Sequence, residues 1–151
     1  MRHAKRFVIP LVCLVACIGS LSAQSSRTFK TRLSPVPIDV SMQSTIAGTG
    51  TVTAVLSGSK LSITGSFEGL KSPATTAQVH RSPVRGVRGP VAFDLAVAKT
   101  DAASGTLTGT ADLTPVQVAD LEKGRLYVQV HSEKAPDGNL WGWLMPQETK
   151  R

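Results

Sequence analysis

From Gly50 onward, short runs of Val, Leu, Ile, Thr and Phe alternate with Gly, Ser, Pro and Asp at intervals of about ten residues. Within the runs, apolar and polar residues alternate with a period of two, the pattern of strands that bury one face and wet the other. Spacing of this kind punctuates antiparallel sandwiches and barrels. Strands are predicted over 49–57, 60–68, 75–80, 91–97, 105–113, 125–131 and 139–145. Seven or eight such strands make one closed or two-layered sheet, an all-β sandwich or barrel.

One segment breaks the alternation. Thr114 precedes Pro115, and Gln117 follows three residues after the threonine. A capping threonine, a proline at the first helical position and a glutamine at the third form a capping box. Val118 and Leu121 supply an apolar stripe and Gly124 a stop, so one short helix of about two turns is predicted, with a structural role. Residues 24–40 are rich in Ser, Thr, Arg and Pro, and Pro35 and Pro37 exclude a regular helix or central strand. That stretch reads as a tether leading into an edge strand, residues 41–146 as the β domain, and 147–151 as a tail.

The first 23 residues have a different character. Arg2, Lys5 and Arg6 precede an apolar run over 7–21, and small residues follow at Ser20, Ser22 and Ala23. This is the order of a secretory signal peptide, and the run is short of the roughly twenty residues a permanent span needs. Two processing outcomes stand. Cleavage after Ala23 would free the domain, whereas Leu14-Val15-Ala16-Cys17 resembles a lipobox whose lipidated Cys17 would tether it to a membrane face. Either way the expected location is outside the cytoplasm: secreted, periplasmic or at the cell surface.

Removal of the leader changes the chemistry that remains. Both cysteines, Cys13 and Cys17, lie in it, so a product cleaved after Ala23 offers no disulfide, thiol nucleophile or thiolate metal site. The formal charge falls from +7 to +4, 14 basic residues against 10 acidic. Nucleic acid is disfavoured as a partner by compartment and by the lack of a long basic stripe. The chain that remains is long enough for one domain with its own core.

Three segments carry a resemblance. Ala77-Gln78-Val79-His80, then Gly89-Pro90-Val91-Ala92-Phe93-Asp94-Leu95, then Gly124-Arg125-Leu126-Tyr127-Val128-Gln129-Val130-His131 stand in the order and spacing of CHRD (chordin-type) domains. Pro136 to Leu144 is similar to the glycine-framed closing strand of that family. The chain therefore resembles a CHRD domain from about Pro35 to Leu144. The resemblance implies an immunoglobulin-like β-barrel, found in animal secreted proteins that bind growth factors and in bacterial exported proteins, and implies no known catalytic activity; no cofactor is expected.

The departures from the family pattern point to candidate sites. Where the family has His-Ile-His, this chain has Gln78-Val79-His80, so half of a same-face histidine pair is missing. His131 shares a face with Tyr127 and Gln129 and would lie near His80 if their strands are neighbours. Metal binding, to copper or zinc, is thus an alternative resting on His80 and His131. The structural reading is that both rings donate N–H groups to backbone carbonyls or to Asp94. In the closing strand Leu140, Gly142 and Leu144 share one face, so Trp141 and Trp143 stand together on the other, a contact surface for protein or sugar unless the tether or the helix covers them. The loop from Arg81 to Pro90 carries Arg81, Arg85 and Arg88 with no acid before Asp94, a set of guanidiniums suited to sulfate, phosphate or carboxylate.

For catalysis the inventory is thin. There is no Gly-x-Ser-x-Gly elbow, no phosphate-binding glycine loop and no His-Glu-x-x-His, and the two histidines outside the leader, His80 and His131, are too few for a copper/zinc dismutase centre. The expectation is a non-enzymatic exported binding or scaffold module, with Arg81, Arg85, Arg88, Tyr127, Trp141 and Trp143 as its binding residues and a protein or polysaccharide as its partner.

Overall fold

The computed structural model describes residues 25–148. The predicted leader, with Cys13, Cys17 and both processing sites, lies outside them, as do the last three residues. Nine strands and one α-helix follow in the order β1 (Ser26–Pro35), β2 (Thr49–Ser57), β3 (Lys60–Glu68), β4 (Ala74–Arg81), β5 (Val91–Lys99), β6 (Gly105–Asp112), α1 (Pro115–Glu122), β7 (Leu126–Ser132), β8 (Ala135–Trp143) and β9 (Met145–Pro146), with a 3-10 turn at Val40–Met42 between β1 and β2.

All pairings are antiparallel, and they close. The order β2-β3-β6-β5-β4-β7-β8-β1 returns to β2 through a β1–β2 ladder running from Ser26↔Ser57 to Leu33↔Gly50, which makes an eight-stranded barrel with β9 as a short addition to β1. Spatial order β6-β5-β4-β7 is a Greek key, in which α1 lies in the long connection that brings β7 back beside β4. Two strands turn corners: β5 leaves β4 after Leu95 and pairs with β6 from Ala96, and β1 leaves β2 after Leu33 and meets β8 at Ser34 and Pro35. Strands that change partners in this way flatten a barrel into two facing layers.

The N-terminal segment is where the sequence reading needs correction. Ser26–Pro35 is a ten-residue strand paired on both sides, with β2 along one edge and with β8 and β9 along the other. It is the staff that closes the barrel, and no edge strand remains there. Phe29 and Leu33 point inward and are fully buried. Pro35 is tolerated because it ends the strand, where its missing N–H costs no ladder bond.

Elsewhere expectation and structure agree closely, with 49–57 and 60–68 reproduced to the residue. Gly58, at φ +61°, begins the two-residue loop between them, as a primed hairpin turn requires. The capping box of α1 is formed both ways: Gln117 N donates to Thr114 Oγ1 at 3.3 Å and Thr114 N donates to Gln117 Oε1 at 2.9 Å. The closing strand begins four residues earlier than predicted, at Ala135, and its run ends at Trp143, with Met145 pairing separately.

The core is the barrel lumen. Val52, Ala54 and Leu56 of β2, Leu61 and Ile63 of β3, Leu107 of β6, Val128 and Val130 of β7 and Leu140 of β8 fill it, and Leu121 of α1 joins the same cluster.

Candidate functional site

β4, β7 and β8 differ from the other strands in burying residues on their outward face as well. Register sets that face: His80 lies opposite Tyr127 and Tyr127 opposite Trp143, while Gln78 lies opposite Gln129 and Gln129 opposite Trp141. Val79, Val128, Leu140 and Leu144 point into the lumen, so by the period of two these side chains point out. They pack as one aromatic cluster. The His80 ring stacks on Tyr127 with centroids 4.9 Å apart and planes 13° from parallel, and Tyr127 meets Trp143 at 4.5 Å and Trp141 edge-on at 5.8 Å. The two indoles are 5.8 Å apart.

Two coverings explain why an outward face is buried. Residues 82–90 fold back over Tyr127, whose hydroxyl accepts from Gly89 N at 3.2 Å. Ser82 braces that loop by hydrogen bonding to the carbonyls of Val84 at 2.6 Å and Val87 at 2.5 Å. On the other side Val36 and Ile46, between β1 and β2, form a small apolar cluster with Ala135 against which Trp141 packs. Tyr127 is consequently 1% exposed. Its assignment as a contact residue is corrected: it supports the surface from beneath, while Trp141 and Trp143 remain half-buried at its margin.

The arginines divide. Arg81 Nε lies 2.5 Å and Arg125 Nη1 3.3 Å from the two oxygens of Asp120, a buried acid on α1. Burial pushes the Asp120 carboxyl up, but the hydrogen bond and charge of Arg81, then those of Arg125, more than offset this and hold it below the ordinary aspartate range. Arg81 is thus a structural cation that pins the end of β4 to the helix. Arg85 and Arg88 form no ion pair among the described residues. Arg88 Nη1 donates to the Asp137 carbonyl at 2.6 Å and Arg85 Nη1 points to Met145 Sδ at 3.7 Å, so the two reach toward opposite ends of the stretch holding Trp141 and Trp143. A groove of about 100 Å³ beside Arg88 is lined by Val36, Ile46, Lys134 and Pro136.

Both histidines reach backbone carbonyls, as the structural reading expected. His80 Nδ1 lies 2.9 Å from the Gly89 oxygen and His131 Nδ1 2.8 Å from the Pro136 oxygen. Neither of these bonds goes to Asp94, which accepts from Gln78 Nε2 at 2.8 Å, so the contacts form no His–Asp relay. Burial holds the His80 imidazole below its ordinary pKa, against the raising effect of the Gly89 bond, with His131 and Arg88 adding to the lowering. Among the described residues no cluster of three or more His, Cys, Asp or Glu side chains is arranged to hold a metal.

Asp120 and Ser82 were not singled out in the sequence. An acid directly before the apolar Leu121 of a short helix is the only signal that Asp120 gave, and nothing local marks Ser82 as the brace of the arginine loop. Neither a curated protein nor a solved structure matches this chain. Residues 29–144 match the family model described as CHRD domain, which spans the barrel from Phe29 of β1 to Leu144 beyond β8, and the chain accordingly belongs to the CHRD domain family.

Proposed function

We propose that the chain is an exported, non-enzymatic recognition module that takes an acidic polysaccharide on the outer face of β4, β7 and β8, using an immunoglobulin-like barrel as its scaffold. The observation that carries this reading is the division among the arginines. Arg81 and Arg125 are tied to Asp120 and Arg27 to Glu122, whereas Arg85 and Arg88 flank two half-exposed indoles and have no carboxylate partner among the described residues. Guanidiniums bind carboxylate and sulfate through paired N–H donors, and an indole face stacks on the C–H surface of a sugar ring. The groove beside Arg88 adds a second cation, Lys134, against one acid, Asp137, in its lining. The loop is already braced by Ser82, so little ordering remains to oppose binding.

The deciding experiment is calorimetric titration of the purified protein with a uronic or sulfated polysaccharide and with the same polymer after carboxyl reduction or desulfation. Binding to the acidic polymer alone is expected, weakened about tenfold by each of Arg85→Ala and Arg88→Ala. Equal affinity for charged and neutral polymer, or for wild type and the double variant, rules the reading out. Binding to acidic proteins but not to polysaccharide would redirect it to a protein partner.

A further inference from the structure

The outer-face cluster contains two nitrogen atoms that nothing else explains. His80 Nε2 and His131 Nε2 are both buried, and neither has a hydrogen-bond partner among the described residues. Their protonation follows from the other side of each ring. A carbonyl oxygen only accepts, so the Nδ1 atoms at the Gly89 and Pro136 carbonyls must carry the proton, and in the neutral rings both Nε2 atoms present lone pairs. A second nitrogen held by a backbone carbonyl is the arrangement that fixes the tautomer and orientation of metal-ligating histidines.

The backbone places the rings far apart and the side chains bring them together. His80 is opposite Tyr127, and His131 lies four residues further along β7, about 13 Å at the rise of a strand. The ring centroids are nevertheless 6.3 Å apart. Both imidazoles therefore lean toward each other across Gln129, which is itself buried and whose Nε2 is held by the Asp137 carbonyl at 2.8 Å. Two imidazoles ligating one ion in line, with metal–nitrogen bonds of roughly 2 Å and each ring centre roughly 1 Å behind its nitrogen, hold their centroids roughly 6 Å apart. The 36° between the ring planes is no obstacle, because rotation about a linear axis is free.

We propose that His80 Nε2 and His131 Nε2 form a two-coordinate site for monovalent copper on the outer face of β4 and β7. The donor set selects the ion. Zinc and divalent copper want three or more protein donors, commonly with carboxylate or thiolate, and among the described residues no group of three His, Cys, Asp or Glu side chains is gathered for an ion. His131 and the Arg88 cation both act on His80, and Arg88 opposes a doubly charged ion more than a singly charged one. Monovalent copper accepts two neutral imidazoles in line, and buried Tyr127, stacked on His80, gives the His80 side of the site an apolar wall. This site lies on the same face as the polysaccharide surface proposed above, but it needs neither Arg85 nor any ligand charge.

The test is anaerobic titration of the purified protein with Cu(I) against a chromophoric chelator, in a Cys13→Ser/Cys17→Ser background that removes the thiols. One equivalent is expected to bind, with tryptophan emission falling in step and an X-ray absorption edge showing nitrogen without sulfur. His131→Ala, whose ring is half-exposed and whose loss spares the barrel, should weaken binding by more than the roughly 10–100-fold that follows loss of an outer-shell partner. His80→Asn should do the same while the far-ultraviolet circular dichroism stays that of the wild type. Failure to bind one equivalent overturns the site and leaves a water bridging the two nitrogens. So does unchanged affinity in His131→Ala. Retained polysaccharide binding in His131→Ala keeps the two proposals distinguishable.

Discussion

The two halves of the barrel treat the same alternating pattern differently. On β2, β3 and β6 the inward residues are buried and the outward ones, Thr51, Ser62, Thr64, Ser66, Thr106 and Thr108 among them, face water. On β7 six of seven residues are buried and on β8 five of nine, because the outward face carries His80, Tyr127, Gln129 and two indoles under the 82–90 loop and the chain around Val36 and Ile46. One half is a sheet with a core and a solvated skin. The other has a second, thin core laid on its outside. A hydroxyl-bearing strand needs nothing above it, whereas buried aromatic and amide side chains need both apolar cover and hydrogen-bond partners, and the loops supply the cover and, at Gly89, part of the bonding. Among the described residues, the difference gathers the buried aromatic and imidazole side chains of the outward faces on one side.

The comparison breaks most readily at Tyr127. If its outward face is a true core, Tyr127→Ala costs about 3 to 5 kcal/mol, as much as a large-to-small change in the lumen such as Leu107→Ala, because it empties the centre of the aromatic cluster and releases Gly89. Thr64→Ala, at an outward position of β3, stays within about 0.5 kcal/mol. Urea unfolding of the three variants measures this. A Tyr127 loss close to the Thr64 value would mean that the covering layer is only adsorbed on the barrel.

A smaller effect, about 2 kcal/mol, is expected at Gly138, which holds φ +125° in β8, a conformation that an L side chain adopts only under strain. A Cβ there would also collide with the Gln129 carboxamide, so Gly138→Ala must move the amide that donates to Asp137. Chemical denaturation gives the size of the loss. Hydrogen exchange shows whether it is confined to the outer layer, with β7 and β8 amides loosened and those of β2 and β3 unchanged. Uniform loosening would show that the two halves unfold as one and that the second core has no separate identity.

Most of the first half was legible in the sequence, and less of the second. Period-two alternation with glycine and serine punctuation marks 49–57 and 60–68 without ambiguity, since each strand has one wet face. Ser26–Pro35 hid behind its Ser, Thr, Arg and Pro content, although Phe29, Thr31 and Leu33 alternate as a strand should. Pro136, Asp137 and Gly138 look like a turn, yet they are the start of β8, where Gly138 supplies a backbone angle and a close approach that only the folded neighbours define. Among the site residues, the outward direction of Trp141 and Trp143 followed from Leu140 and Leu144. The burial of Tyr127 did not, because it depends on a loop folding back from β4. The pairing of Arg81 with Asp120 is likewise a contact 39 residues apart that no local pattern encodes.

The smallest expected effect is on pH, and it separates the halves through titration. The outward face of β2, β3 and β6 is largely Ser and Thr, but β4 carries His80, whose ring meets the Gly89 carbonyl, His131 and the Arg88 charge. Its pKa is lowered on folding, chiefly by burial, from an ordinary value of 6.5. Below that value the unfolded chain takes up the proton first, so the stabilising contribution of neutral His80 is complete above about pH 6.5 and is lost as pH falls toward the folded pKa. Wild-type Tm should therefore decline between pH 7 and 5 by more than that of His80→Asn, in the same buffers at constant ionic strength. Carboxylates shared by both proteins cancel in this difference. Equal slopes would mean that the ring is solvated in both states, and with it the notion that the outer layer of β4, β7 and β8 is dry would fail.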